Sequence, residues 1–470
     1  MNWRYQEVVR FVQNCIDTGT LKPGERLQSV REMSAQTGFS VVTVHHAYSL
    51  LESEGIIEAR PRSGFYVAHT PQISTDFPDL VIPDGKASGE VSISVQLYRL
   101  MALWRDRKIE TFGSLHPSSD LLPTQELLTH MRRFLRNVRP DRPPVTSLAG
   151  SSDLRDIVSR RAATRGVRIR ENNTIVTSSS QTALDLCLDV VTRPGDLVMI
   201  ESPSYFPLFA ALQRRHLRAI EIYSHPMTGI DPDQFDHLID TNDIRACLLM
   251  PVNHFPTGVS YPEAVLQRIA RKAGDKAVPI IEYDTFSELT HATSNPHSLK
   301  NFDRNDFVLQ IGSFASTLGP LAGAGWVLNS RYREAILEKL VFTDLAAGEA
   351  ALQHAIAECI VRHSYDRQLR HIREQLKARM RRGMHLVAQL FPRQCTISRP
   401  SGGFMCWIRL PGNVDSIALA ERAADLGISI IPGPLLSVAS SFRNFIGLNF
   451  SFEWTDATEN RLATLAGLLE

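Results

Sequence analysis

Apolar positions Val8, Val9, Val12 and Ile16 recur at helical spacing and predict a first helix that ends near Gly19. Leu21–Leu27 (LKPGERL) has the proline and glycine of a turn-rich connector. Ser29 with Glu32 three residues on has the form of a capping box, opening a second helix through about Thr37, which Gly38 stops. Ser40 then caps a third helix whose apolar face is Val44, Ala47, Leu50 and Leu51. The stretch Ile56–Val67 reads as two short strands about a glycine-containing turn. Three helices and a hairpin make the order of a winged helix-turn-helix over residues 1–69.

Residues 70–92 carry Pro71, Pro78, Pro83, Gly85 and Gly89 with no sustained period, the composition of a linker. From 93 onward helical patterns alternate with short apolar runs at 175–177, 197–200, 246–250, 279–281 and 307–311. Such alternation predicts an α/β domain: a mostly parallel sheet covered by helices, with ligand sites at the carboxyl ends of its strands. The stretch 345–470 ends in apolar runs at 401–409 and 445–450 and adds a smaller α/β lobe.

Composition narrows the function. The 470 residues are 43% hydrophobic and 21% charged with a formal net charge of +1, so no bulk charge draws the chain to nucleic acid or to a membrane. DNA binding would have to use a local patch. The head is neutral as well, with seven basic residues (Arg4, Arg10, Lys22, Arg26, Arg31, Arg60, Arg62) against seven acidic ones (Glu7, Asp17, Glu25, Glu32, Glu52, Glu54, Glu58). The six scattered cysteines form no CxxC pair and read as buried thiols in a reducing compartment. No run approaches the roughly 18 apolar residues of a membrane span, and the N-terminus lacks a signal peptide's apolar core. A cytoplasmic protein is expected.

Residues 21–67 resemble the GntR-type winged helix through Leu21–Glu32 (LKPGERLQSVRE), Ser40–Val44 (SVVTV) and Leu51–Ile57 (LESEGII). The resemblance implies that the third helix enters the major groove. Ser40, Thr43, His45 and His46 would face DNA, with Ser29 and Arg31 reaching it from the second helix. Arg60, Arg62, Ser63 and Gly64 would form the wing tip near phosphates or the minor groove.

Most of the remaining chain resembles fold-type I aminotransferases, and with the head nearly the whole sequence is similar to MocR-type regulators. Arg193–Tyr205 (RPGDLVMIESPSY) matches the strand leading to the aromatic residue that stacks on pyridoxal phosphate, here Tyr205. Val176–Leu184 matches the phosphate-binding turn, with Ser178, Ser179, Ser180 and Gln181 at a helix N-terminus suited to an anion. Ser313 matches a serine on the same phosphate.

The chemical anchors depart from the family. The segment Gly312–Trp326 (GSFASTLGPLAGAGW) has Ser316 where a lysine is expected and Gly323 where an arginine is expected. A serine cannot form a Schiff base with an aldehyde. In Ile280–Leu289 (IIEYDTFSEL), Tyr283 takes the place of the aspartate on the pyridinium nitrogen and Phe286 that of a tyrosine. Asp284 cannot simply substitute, because strand neighbours point to opposite faces. Phe255 takes the place of an asparagine, and Gly447 that of the substrate-carboxylate arginine. Lys272, Lys276, Lys300 and Lys339 read as solvated surface lysines rather than replacements.

The expectation is a dimeric regulator of double-stranded operator DNA without covalent pyridoxal phosphate chemistry. Noncovalent binding of that cofactor stays open, as does a small-molecule effector in a cleft that the added rings either fill or line. An aminotransferase with a DNA-binding appendage and a DNA-tethered interaction scaffold are the competing readings.

Overall fold

In the head, helical apolar stripes and paired short strands bury one another. Helices α1 (Arg4–Asp17), α2 (Val30–Thr37) and α3 (Val41–Ser53) precede strands β1 (Ile57–Arg60) and β2 (Gly64–Val67), which pair antiparallel. Val8, Val12, Met33, Val44, Ala47, Tyr48 and Leu51 from the helices meet Leu27, Ile57 and Val67 in one apolar cluster. The expected capping box is present: the Ser29 side chain accepts from the Glu32 amide, and the Glu32 carboxylate accepts from the Ser29 amide. Gly38 closes α2 at φ 72°, a left-handed conformation that favours glycine. The connector does more than turn, because the Leu27 amide donates to Phe65 (2.8 Å) and the Val67 amide to Glu25 (2.8 Å). It thus lies along β2 as a third extended segment.

The computed structural model describes residues 4–53, 56–60, 63–67, 74–75, 77, 89–91, 102, 112–139, 141, 147–292, 295–343, 350–362 and 364–469. Most of the expected linker 70–92 and the wing residue Arg62 lie outside the described residues. Two compact units emerge, one of Met1–Ser74, Lys377–Cys395 and Glu453–Glu470, the other of Thr75–Leu376 and Thr396–Phe452.

In the second unit the apolar runs form the expected sheet. Its strands are β3 (Gly89–Glu90), β4 (Thr174–Thr177), β5 (Leu197–Ser202), β6 (Arg218–His225), β7 (Gly229–Ile230), β8 (Ile244–Leu249), β9 (Ile280–Tyr283), β10 (Val308–Ser313) and β11 (Gly325–Leu328). The order is β3-β6-β5-β8-β9-β10-β11-β4, with β7 paired to β6. Strands β6, β5, β8, β9 and β10 run parallel, while β11 runs against both of its neighbours. Met199, Cys247, Leu249, Ile280 and Val308 on one sheet face pack with Phe235, Leu238, Leu266 and Ile269 from two covering helices. A separate antiparallel sheet, β12 (Thr396–Ile397), β13 (Met405–Arg409), β14 (Ile431–Pro432) and β15 (Phe445–Asn449), is ordered β12-β13-β15-β14. No helix among the described residues is long and apolar enough to cross a membrane. Five of the six cysteines are buried and Cys15 is half-buried.

Candidate functional site

The exposed side of α3 is set by what its other side buries. Val44, Ala47, Tyr48 and Leu51 face the core, leaving Val41, Val42 and His45 exposed. Ser40 caps this helix: its hydroxyl accepts from the Thr43 amide (3.1 Å) and meets the Thr43 hydroxyl at 2.8 Å. His46, expected beside His45, sets its ring edge-on against Tyr5 of α1, with centroids 4.5 Å apart. Arg31 is exposed, whereas the Ser29 hydroxyl is used in the capping box. At the wing, the Glu58 carboxylate accepts from Arg60, whose guanidinium lies 4.3 Å from the centre of the Tyr66 ring. Ser63 and Tyr66 hydroxyls share a 2.6 Å bond, and Gly64 turns the hairpin at φ 107°.

In the other unit, carboxyl ends of the parallel strands gather the resemblance-derived positions. Tyr205 follows β5, and its half-buried ring lies 5.1 Å from Phe255, 6.1 Å from Tyr283 and 6.3 Å from Phe286, centroid to centroid. Phe255 and Phe286 stack at 6.3 Å, and Phe404, which sequence reasoning missed, meets Phe286 edge-on at 5.4 Å. A void of about 10 Å³ remains beside Phe255, Phe286 and Phe404, about room for one water. Tyr283 shares a 2.9 Å bond with the Ser180 hydroxyl, and burial pushes its phenol up to about 12.

The serine-rich turn is bonded largely to itself. The Ser179 hydroxyl accepts from the Thr182 amide at the start of the helix Ser180–Val191, and Ser178 and Thr182 hydroxyls lie 2.8 Å apart. Gln181 keeps a buried amide nitrogen with no hydrogen-bond partner. Ser313 donates to the Ala324 carbonyl (3.0 Å) and accepts from the Ala315 amide (3.2 Å). Ser316 is buried and donates to the Thr285 carbonyl at 2.7 Å. Gly323 follows a short turn at Pro320–Ala322. A side chain at Gly447 would start 3.3 Å from Met405 and 3.6 Å from Ile431 and Pro256, leaving little room to extend.

Asp284 points away from these rings, as strand alternation requires. It accepts from Arg165 Nη2 (2.7 Å) and Gln310 Nε2 (3.0 Å), and burial raises its carboxyl pKa against the pull of Arg165. Beside that pair, Arg161 bridges Glu288 at 2.6 Å, and the Tyr365 hydroxyl donates to Glu288 as well. Arg161, Arg165, Asp284, Glu288 and Gln310 line a cavity of about 30 Å³, together with apolar residues such as Val158, Phe314 and Trp326. None of Arg165, Arg161 or Tyr365 was singled out from the sequence.

The surface reading of Lys300 is overturned: its side chain is buried, and its ammonium donates to Asp303, Asp306 and the Val308 carbonyl. A lysine held by two carboxylates and a carbonyl serves packing rather than attack. Lys272 pairs with Asp240 and is mostly covered, while Lys276 and Lys339 are exposed. A further buried cluster joins Glu201 on β5 to Tyr261, the Met250 amide and His254. Desolvation pushes the Glu201 carboxyl up to about 8 and the His254 imidazole down to about 3.

Comparison with known proteins assigns both parts. Residues 4–67 match the bacterial regulatory proteins of the gntR family, and residues 140–448 match aminotransferase class I and II. The chain is 30% identical to the uncharacterized HTH-type transcriptional regulator YdcR of Escherichia coli, over 99% of each chain. It is 25% identical to the HTH-type transcriptional regulator NorG of Staphylococcus aureus, over 93% of this chain and 98% of that one. In fold it is similar to the kynurenine aminotransferase of Pyrococcus horikoshii, with a TM-score of 0.73 at 21% identity, covering 80% of this chain and 94% of that one. The chain belongs to the GntR-family transcriptional regulators whose body is an aminotransferase class I and II domain, the MocR-type architecture.

Proposed function

We propose that this regulator binds operator DNA as a homodimer through its winged heads, while its aminotransferase-type body no longer uses pyridoxal phosphate covalently. In this reading residues 1–69 are the DNA-binding domain, 70–92 the linker and 93–470 the dimerising body of a cytoplasmic protein. One half-site per head makes a twofold arrangement the economical one, because each neutral head alone gains little from phosphates.

The observation that carries the second part is the state of the cleft. The Tyr205 ring lies within contact distance of Phe255, Tyr283 and Phe286, Phe255 stacks on Phe286, and Ser316 gives its hydroxyl to the Thr285 carbonyl. These residues do not fit pyridoxal phosphate held in the family's way: position 316 offers no amine, Tyr283 offers no carboxylate, and Asp284 is engaged by Arg165. What they retain is an aromatic wall whose chemistry suits an uncharged or aromatic effector held without a covalent bond, and such an effector would have to part the rings beside Phe255, Phe286 and Phe404, where the void holds about one water.

The test mixes full-length protein with pyridoxal phosphate, follows the visible spectrum, and adds borohydride before intact-mass measurement. The expected outcome is an unchanged protein mass. A borohydride-stable lysyl adduct at one defined position would overturn the reading.

A further inference from the structure

The base-reading end of α3 carries two exposed apolar residues. Val42 is 78% exposed and Val41 49%, and both sit in the first turn, the end that a helix-turn-helix presents to base edges. Neither packs on the head's apolar cluster, which takes Val44, Ala47, Tyr48 and Leu51 from this helix. β-Branched residues gain nothing as helix formers in an exposed first turn.

The polar groups of the same turn are partly engaged with each other. The Ser40 hydroxyl accepts from the Thr43 amide at 3.1 Å, and the Ser40 and Thr43 hydroxyls lie 2.8 Å apart, closing the helix cap. The valine methyls are the most exposed apolar groups of this turn, beside the exposed Ser40, with the exposed His45 ring one turn on from Val42. In the major groove thymine alone presents a methyl group, and apolar side chains recognise it by contact.

We infer that Val42, flanked by Val41, reads a thymine methyl in each operator half-site, and that His45 reads the hydrogen-bonding edge of a neighbouring base. The inference rests on the DNA-binding reading above and sharpens it: specificity at this end comes from a methyl contact.

The test first selects a high-affinity site for the full-length protein from random duplexes. Each thymine of that site is then replaced singly by deoxyuridine, which differs only by the missing methyl, and affinities are measured by fluorescence anisotropy. At one or two positions per half-site the expected loss is about fourfold, the worth of burying one methyl. Val42→Ala is expected to bind the thymine and uracil forms of those positions equally. Uniform affinity across all uracil substitutions would overturn the inference while leaving DNA binding intact. So would a thymine preference that Val42→Ala leaves unchanged. Failure to select any site would instead sink the DNA-binding reading itself.

Discussion

Replacing Arg165 with methionine removes one half of a buried ion pair and leaves the other. The Arg165 side chain is 15% exposed and that of Asp284 3%, with Nη2 and Oδ2 2.7 Å apart. Gln310 still donates to Asp284 Oδ2, at 3.0 Å. Taking one partner from a buried pair costs about 3–5 kcal/mol, because the orphaned carboxylate stays desolvated. At roughly 2–4 °C per kcal/mol this lowers the melting temperature of the body by about 6–20 °C at pH 7. The double variant Arg165→Met/Asp284→Leu removes both charges and should recover to within about 1–2 kcal/mol of the parent. The sign with pH follows from Asp284, whose carboxyl is already raised by burial and loses its cation in the single variant. The fold then holds the protonated form more tightly than the unfolded chain does, so the deficit shrinks as pH falls toward 4. Thermal unfolding of parent, singles and double between pH 4.5 and 8 reads all three effects. A deficit below about 1 kcal/mol for Arg165→Met at pH 7, or a double variant no better than the singles, would refute the reasoning.

Glu201→Gln should flatten the pH dependence of stability. The folded pKa of about 8 lies above the ordinary 4.5, so the fold retains a proton that the unfolded chain has released across that window. Glu201 therefore contributes a decline in wild-type stability from about pH 5 toward 8, and denaturant titrations should show a shallower decline in the glutamine variant, the part owed to Glu282 and Asp284 remaining. Arg31→Ala should weaken operator binding and reduce the slope of log affinity against log salt by about one, measured by anisotropy from 50 to 200 mM salt. An unchanged slope would place the phosphate contacts elsewhere on the head.

Local signals in the sequence carried far. Ser29 and Glu32 announced their capping box because both partners lie within four residues. The apolar runs became β4, β5, β8, β9 and β10 because strands buried on both faces are apolar on both. Strand alternation alone separated Tyr283 from Asp284. What sequence reading missed is long-range: Arg165 closes the helix Ser152–Thr164 and meets Asp284 across 119 positions, and Phe404 joins the rings from beyond β12. Lys300 misled because its carboxylate partners lie in a loop whose folding-over has no periodic signature. Glu201 and Glu282 did leave a trace. A carboxylate ending an apolar strand, as in LVMIES or PIIE, has no solvated face to turn to, and both are fully buried.

Strand β11 turns back beside β10, with Ser313 and Gly325 paired opposite each other at the end of the ladder. Residues 314–324 are therefore a loop whose two ends are pinned to adjacent strands. Its inner residues can be exchanged while the sheet registers on either side stay as they are. Such a loop separates side-chain chemistry from sheet architecture: what stands at position 316 is set by the loop alone, while the two strands hold the scaffold around it.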